Sequence, residues 1–272
     1  MGISIAKLAS TEYRRFSTCP VKCPKLRDKI LSLADYFSVL STAMASGVQF
    51  WFRGHSDVTW SLTPSALRYP TAATRTSALK LLDDFKRVAE IKIDRPPRPD
   101  EGLKWIQLAQ HYGIPTRLLD WTESATIGLY FACLNPSIDG LVFVLNPIDL
   151  NRLSFPRKPW ILDAQSDAGT IKPYLKLTGK KTRRGRHTIA INPVWNSERL
   201  MLQKGVFTLH GSRFALDSDQ ATSLVALPIL KEVKHQLRAE LERVGVDEMT
   251  IFPELEHSAS HLRRKLSVPR QE

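Results

Sequence analysis

The sequence predicts an α+β fold in which helices flank a mixed, mostly antiparallel sheet. Helix-like and strand-like segments follow one another without the strict strand–helix–strand order that a doubly wound sheet requires. The longest apolar stretches, such as Leu141–Leu145, have the length of buried strands. None approaches the roughly 18 apolar residues that a membrane helix needs. The 272 residues, 43% of them hydrophobic, suffice for one large domain or two small ones.

Helices dominate the first half of the predicted element order. Residues 1–24 form an irregular lead-in. The stretch "VQFWFRGH" predicts a strand that ends at Gly54, because it is rich in aromatic and β-branched residues. Thr122 is a competent N-cap for a helix that follows it. Apolar spacings of three and four predict helices at about 25–46, 77–92, 101–112 and 123–134.

Strands and one long helix are predicted in the second half. The apolar run at 141–146 and the short stretches at 187–192 and 205–210 predict strands. The basic segment at 151–190 is interpreted as loop or weak strand. A last helix is expected over 228–244, with Gly245 placed to end it.

Positive charge is concentrated in one segment. Residues 151–190 contain ten Lys or Arg residues against Asp163 and Asp167, so this segment carries +8 of the formal net charge of +12. A basic patch of this kind attracts nucleotides or nucleic-acid phosphates. The alternative is a solvated surface loop, since the segment lacks the interleaved aromatic residues that single-strand binders use.

Several classes of protein are disfavoured by what the sequence lacks. It contains no P-loop, no G-x-G-x-x-G, no H-E-x-x-H and no G-x-S-x-G motif. Three cysteines without metal-site spacing predict free thiols in a reducing cytoplasm and no bound metal. The N-terminus has no continuous apolar stretch of the kind found in signal peptides. A cytoplasmic protein without a membrane anchor is therefore expected.

The first candidate cluster is "FRGH", at the end of the predicted strand. Arg53 lies among aromatic neighbours, where an arginine is costly unless it is paired. It either clamps a phosphate or carboxylate, or forms a structural salt bridge to Asp120 or another acid. His55, two residues further on, is assigned to the same ligand site.

The second cluster is "QHYGIPTRLLDW". It places His111 before a tight turn, Thr116 and Arg117 after it, and Asp120 three residues beyond. The helix that follows Thr122 would present free N–H groups close by, which is a ready anion site. The alternative is a buried ion-pair network that only fixes the loop.

The third cluster is "SERLMLQKGVFTLHG". Arg199 and Gln203 are four residues apart and share a face if this piece is helical. Gln203 could position a ligand or a water molecule. The alternative is a helix-to-strand junction whose polar groups are satisfied internally.

Together these clusters resemble the FRG domain family, named for the tripeptide that stands here as Phe52–Gly54. The resemblance is strongest at "AQHYGIPTRLLDWTESATIGLYFA" and continues at "RLMLQKGVFTLHG" and "IFPELEHSASHLRRK", so that it spans about residues 45–265. Ala125 departs from the family, which usually has Pro there. The resemblance implies one domain over 25–268 and a role in a bacterial or phage defence or toxin system.

The order of the clusters also resembles that of ADP-ribosyltransferases. These enzymes place Arg or His on a first strand, a polar residue on a second strand and Glu or Gln on a later strand. The resemblance implies NAD as the cofactor. In that resemblance Arg53 would grip a phosphate or ribose of the cofactor, Thr116 or Thr122 would support the nicotinamide ribose, and Gln203 or Glu198 would orient the nucleophile. Taken over all three clusters, the candidate catalytic residues are Arg53, His111, Asp120 and Gln203. The candidate ligand-binding residues are His55, Thr116, Arg117, Thr122 and Arg199.

Two alternatives to the transferase remain open. The protein could bind nucleotide or nucleic-acid phosphates through residues 151–190, Arg53 and Arg117 without catalysis. It could also be a hydrolase in which His111 is the general base and Asp120 orients it.

Overall fold

The sheet forms the centre of the fold. The computed structural model describes residues 30–44, 47–175, 187–195, 197–211, 215–219 and 223–266, so the predicted lead-in at 1–24 lies outside it. The strands in this part of the chain are β1 (Trp51–His55), β2 (Leu118–Thr122), β3 (Gly140–Leu145), β4 (Leu162–Asp163), β5 (Ile189–Asn192), β6 (Gly205–Leu209) and β7 (Leu224–Ile229).

These strands form one sheet in the order β4-β5-β6-β2-β1-β3-β7. The pairing of β4 with β5 is parallel, and the other neighbouring strands pair antiparallel. The predicted α+β class with a mixed, mostly antiparallel sheet is therefore confirmed.

Helices connect the strands and cover both faces of the sheet. Among the described residues they are α1 (Leu33–Ala43), α2 (Ala72–Lys92), α3 (Gly102–His111), α4 (Ala125–Ala132), α5 (Pro147–Arg152), α6 (Ala168–Leu175), α7 (Glu198–Leu202), α8 (Leu216–Asp219), α9 (Lys234–Arg243), α10 (Glu248–Ile251) and α11 (Leu255–Lys265). Single 3-10 turns lie at Ser65–Leu67 and Lys231–Val233.

Strand β3 shows why its sequence is apolar without alternation. Val142 and Val144 pack into a core with residues of α1, α4 and α9. Leu141, Phe143 and Leu145 pack into a second core on the other face. Because successive side chains of a strand point to opposite faces, a sheet covered on both sides buries all of them.

Strands β1 and β2 have the fewest paired residues of any two neighbours in the described sheet. Strand β1 pairs with β3 along its whole length, from Trp51 to His55. Strand β2 pairs equally fully with β6. Between β1 and β2, however, the register contains a single Cα pair, Phe52 with Thr122. The two strands therefore diverge beyond this pair and leave a gap inside the sheet.

Several predicted boundaries differ from the structure. The helix expected at 25–46 is α1, which begins only after Ser32, where a capping box with Asp35 satisfies the first free backbone groups. The helix expected at 123–134 is capped by Ser124 and is shorter, because Thr122 still belongs to β2.

Two further differences lie in the second half of the chain. The helix expected at 228–244 is α9 alone. The apolar run before α9 forms β7, an edge strand, where Pro228 is tolerated. The described part of the basic segment at 151–190, interpreted as loop or weak strand, contains the end of α5, then β4 and α6, ahead of β5.

Gly54 allows α4 to lie directly on β1. A Cβ atom at Gly54 would stand 2.1 Å from the carbonyl oxygen of Gly128 and 2.4 Å from the amide nitrogen of Ala132. A Cβ at Gly128 would in turn meet the Cβ of Phe52 at 2.8 Å. Neither helix nor strand backbone can yield locally, so the pair of glycines sets the distance between α4 and the sheet.

We expect Gly54→Ala to destabilise the protein, because the added methyl group must push α4 away from β1. Overpacking of this kind lowers the free energy of unfolding by about 1–3 kcal/mol. We expect a loss at or above the upper end of this range, because the added methyl group meets backbone atoms, which cannot rotate away as a side chain can. Urea unfolding followed by circular dichroism measures the loss. The matched control is Gly169→Ala in α6, where a Cβ has nothing within 4 Å. Equal stability of the two variants would contradict the packing argument.

Candidate functional site

A cleft with a volume of about 430 Å³ lies beside the gap between β1 and β2. Its walls come from strands β1, β2 and β6, from α3 and α7, and from the end of α4. The cleft therefore brings together parts of all three sequence clusters. The predicted site residues that line it are Arg53, His111, Asp120, Thr122, Arg199 and Gln203. Aromatic side chains that line it are Phe52, Trp60, Trp121, Phe131 and Phe207.

The neutral imidazole of His55 holds Arg53 in place. Nε of Arg53 donates a hydrogen bond to Nε2 of His55, 3.0 Å away. Nδ1 of His55 lies 3.2 Å from the carbonyl oxygen of Trp60 and donates to it. This pattern requires the tautomer protonated at Nδ1 only. Burial, reinforced by the Arg53 charge, lowers the pKa of His55 to about 3. His55 thus positions Arg53 from beneath the cleft.

The guanidinium of Arg53 also crosses the gap in the sheet. Nη1 donates to the carbonyl oxygen of Asp120 and lies 3.9 Å from its carboxylate oxygen Oδ2. Burial lowers the pKa of Arg53, and the Asp120 charge opposes this shift. The Asp120 side chain is 64% exposed, so the ion pair itself adds little stability. Arg53 is thus paired with Asp120, as the structural interpretation expects, and it also lines the cleft.

Gln110 fixes the carboxylate of Asp120. Its Nε2 donates to Oδ1 of Asp120 at 2.6 Å, and its Oε1 accepts a short hydrogen bond from the Thr116 hydroxyl. Thr116 also accepts from the amide of Leu118, so it stabilises the turn before β2 and does not line the cleft. Thr116 therefore orients Gln110, which in turn holds the carboxylate of Asp120 at the cleft.

Arg117 points away from the cleft. It is buried, and its guanidinium donates to the carbonyl oxygens of His210, at 2.9 Å, and of Tyr174. Arg117 and Asp120 therefore do not form the ion pair that the sequence suggested as an alternative. Since Arg117 stands next to β2 and Tyr174 lies in α6, the arginine ties α6 to the sheet.

The N-terminus of α4 does not form the expected anion site at this cleft. The hydroxyl of Ser124 caps the helix by accepting from the amide of Ile127. Thr122 accepts from the amide of Ser124 and donates to the carbonyl oxygen of Gln203, 2.7 Å away. The part of α4 that lines the cleft is its C-terminal end, at Phe131. The Thr122 hydroxyl therefore links β2 to the backbone of Gln203, and so connects two walls of the cleft.

A segment near the C-terminus holds the third cluster in position. The guanidinium of Arg199 lies over the Phe252 ring, 5.0 Å from its centroid, and its Nη1 lies 3.3 Å from Oε1 of Glu254. Nε2 of Gln203 donates to the carbonyl oxygen of Ile251 at 3.2 Å. The motif that begins at Ile251 therefore supports Arg199 of α7 and Gln203, the C-cap of α7, which both line the cleft.

His111 lies at the exposed edge of the cleft. Its ring packs edge-on against Tyr112, with centroids 5.2 Å apart. The carboxylate of Asp120 contacts Gln110 and Arg53 and has no hydrogen bond to His111. The general-base pairing of His111 and Asp120 considered for a hydrolase is thus not formed in the structure.

Sequence reasoning missed two glutamines on α3. Gln107 and Gln110 line the cleft together with His111, and their spacing of three and four places them on one helical face. The predicted helix at 101–112 contained this pattern. What it could not show is that this face meets a cavity. Gln107 is only 5% exposed, whereas a polar face of a surface helix would be in water.

The basic segment lies apart from the cleft as far as it is described. None of the cleft-lining residues belongs to 151–175 or 187–190, and residues 176–186, with six of the ten basic side chains, lie outside the described part of the chain. In the described ranges no group of three His, Cys, Asp or Glu residues could hold a metal ion. No helix found there combines the length and apolar character needed to cross a bilayer.

We expect the stability of the protein to fall as the pH drops below about 6.5, because His55 is neutral when folded. Its folded pKa of about 3 lies below the ordinary value of 6.5, so the unfolded chain binds the extra proton between these two values. The contribution of His55 to stability is complete above the pKa of the unfolded chain, 6.5. It decreases by about 1.4 kcal/mol per pH unit as the pH falls from 6.5 towards the folded pKa of about 3.

The variant His55→Gln isolates this effect, because Gln can accept from Arg53 and donate to Trp60 but does not titrate. Urea unfolding at about pH 7.5 and about pH 5 should show wild type losing more stability than the variant. A pH dependence that is the same in both proteins would show that His55 is not the titrating group.

Comparison with known proteins agrees with the motifs that form the cleft. The model of the FRG domain family matches residues 48–139, a range that includes Arg53, Gln107, Gln110 and Asp120. No curated protein and no solved structure shows significant similarity to the chain. Arg199 and Gln203 lie beyond the matched range, although they line the same cleft. The chain therefore contains an FRG domain, matched at residues 48–139.

Proposed function

We propose that the cleft binds a nucleotide, with NAD as the ligand to test first, and that the protein transfers ADP-ribose from it. One observation carries the proposal. Arg53 on β1, Thr122 on β2 and Gln203, two residues before β6, line one cleft, and these three strands are neighbours in the sheet. This is the order of residue types in which the sequence resembles ADP-ribosyltransferases.

The chemistry of the walls suits a nucleotide. Arg53 and Arg199 offer charged donors for a pyrophosphate, which guanidinium groups bind well. Trp60 and Phe131 offer apolar surfaces for flat rings. The volume of about 430 Å³ falls within the roughly 300–1,000 Å³ of small-molecule sites. A bound dinucleotide would therefore place its charged part near the arginines and its rings against the aromatic walls.

Asp120 is suited to act on the acceptor. It is the carboxylate that lines the described cleft, it is held by Gln110 and it is largely exposed. In the proposed transfer the bond between the ribose C1 atom and the nicotinamide nitrogen breaks, and nicotinamide leaves as a neutral molecule. The acceptor oxygen or nitrogen bonds to C1, and its proton passes to Asp120. Gln203 would orient the acceptor or the ribose.

The biological setting is proposed from the family resemblance. A defence or toxin system of a bacterium or phage is where the acceptor should be sought, among host or phage macromolecules. An extract of bacterial cells is therefore the first source of acceptors for a labelling experiment.

We expect Arg53→Met to weaken NAD binding, since it removes the charged donor that is already oriented by His55. Loss of a charge-assisted hydrogen bond costs about 1.5–3 kcal/mol, or roughly 10- to 150-fold in Kd. Isothermal titration calorimetry measures the change. The matched control is Arg157→Met, an exposed arginine of the basic segment that does not line the cleft.

Two outcomes would count against the nucleotide cleft. One is that wild type does not bind NAD. The other is that Arg157→Met weakens binding as much as Arg53→Met does. A different outcome is that the protein retards RNA or DNA in a gel in a salt-sensitive manner that NAD does not compete with. That result would favour the alternative, a module that binds nucleic-acid phosphates without catalysis.

We expect Asp120→Asn to abolish transfer while leaving NAD binding within about threefold. The amide keeps the shape of the carboxylate and can still accept from Gln110, but it cannot take a proton. A missing general base typically lowers a rate by about 10²–10⁴-fold. Transfer of label from NAD to proteins of a bacterial extract, and release of nicotinamide, are the measurements.

The control for this variant is Asp149→Asn, an exposed carboxylate at α5 that is remote from the cleft residues in sequence and does not line the cleft. Full transfer by Asp120→Asn would contradict the assigned role. Binding of NAD by wild type without any label transfer or NAD loss would leave a nucleotide-binding protein and refute the transferase.

A further inference from the structure

Gln107 carries a buried amide for which the described protein supplies no partner. The residue is 5% exposed and lines the cleft. Within the part of the chain that the structure describes, neither Nε2 nor Oε1 has a hydrogen-bond partner. A buried amide left in this state is destabilising, and native proteins pair almost all such groups. A partner that enters the cleft would remove this cost.

The neighbouring Gln110 shows that the cleft does not leave amides unpaired in general. It stands three residues further along α3 and lines the same cleft, yet its amide donates to Asp120 and accepts from Thr116. Gln110 therefore serves the protein itself. Gln107 has the same chemical group on the same helical face, but its amide makes no hydrogen bond within the described protein. This difference separates Gln107, a candidate for ligand recognition, from Gln110, which supports the fold.

We infer that Gln107 recognises the ligand by pairing with a flat edge that presents a donor beside an acceptor. This rests on the nucleotide cleft proposed above. A primary amide has N–H donors and a carbonyl acceptor in one plane, so it pairs in a bidentate manner with a matching edge. Two parts of NAD have such an edge, namely the carboxamide of nicotinamide and the N6/N7 edge of adenine.

The same geometry excludes a phosphate as the partner of Gln107. Phosphate oxygens are acceptors, so they could satisfy Nε2 and would leave the Oε1 atom unpaired. The arginines of the cleft are better suited to that group. Phe207, which packs in one apolar cluster with Ile106 beside Gln107, gives the flat group an apolar neighbour. Recognition is thus divided between Gln107 for a ring edge and Arg53 for charge.

The first experiment observes the amide directly by nuclear magnetic resonance. The side-chain N–H₂ signal of Gln107 is assigned as the one that disappears in Gln107→Met. Nicotinamide and adenosine are then added separately to wild type. The signal should move with the fragment whose edge it pairs with, and the signal of Gln165, an exposed glutamine away from the cleft, should not move. Absence of a shift with both fragments overturns the inference, whether or not NAD binds.

The second experiment measures selectivity. Wild type should prefer NAD over the analogue with a carboxylate in place of the carboxamide, or over the analogue with hypoxanthine in place of adenine. The preference should be on the order of 10- to 100-fold, as for loss of one bidentate pair. Gln107→Met should lose that preference. Retention of the preference by the variant overturns the inference and leaves the nucleotide cleft intact.

Protein stability separates recognition from a structural role. Met is close to Gln in size and needs no hydrogen bond, so Gln107→Met without ligand should unfold at the same urea concentration as wild type or a higher one. Gln110→Met should unfold at a lower one, because it leaves Thr116 and Asp120 without their shared partner. A clear loss of stability in Gln107→Met would assign the amide to the fold and overturn the inference.

Discussion

The hydrogen bond from Arg53 to the backbone of Asp120 is the contact on which the site depends. Strands β1 and β2 share one residue pair and then separate, and the arginine spans the gap that a ladder of backbone hydrogen bonds would otherwise fill. His55 holds the guanidinium in this position by accepting from its Nε atom, which requires a neutral ring. One side chain therefore joins the two halves of the sheet and presents positive charge to the cleft, and its geometry is set by a histidine that does not line the cleft.

The walls around this contact are held with little freedom. Helix α4 lies on β1 at a distance set by two glycines, which brings Phe131 to the cleft. Gln110 and Thr116 hold Asp120, and the segment from Ile251 to Glu254 holds Arg199 and Gln203. The side chains that line the cleft are therefore fixed by contacts within the protein itself.

Local patterns allowed much of the fold to be predicted from the sequence. Strand β1, helix α3 and strand β3 were recognised because aromatic content, helical spacing and apolar runs are properties of short segments. The direction of Arg117 could not be predicted, because it depends on which face of β2 meets α6. The last two residues of strand β7 were assigned to the helix expected at 228–244, since an apolar run that contains Pro228 fits either element until its pairing with β3 is known. Gln107 was overlooked for a related reason, because one glutamine on an amphipathic helix looks the same whether it faces water or a cavity.

The connectivity of the sheet limits how the segment that matches the family, residues 48–139, can be separated from the rest of the chain. Residues 48–139 contain β1 and β2, yet the full-length partner of β2 is β6, which lies about seventy residues beyond the end of the match. The matched sequence is thus shorter than the sheet to which its strands belong. Separated from β6, strand β2 would present an unpaired edge, and the cleft would lose the walls formed by α7 and β6.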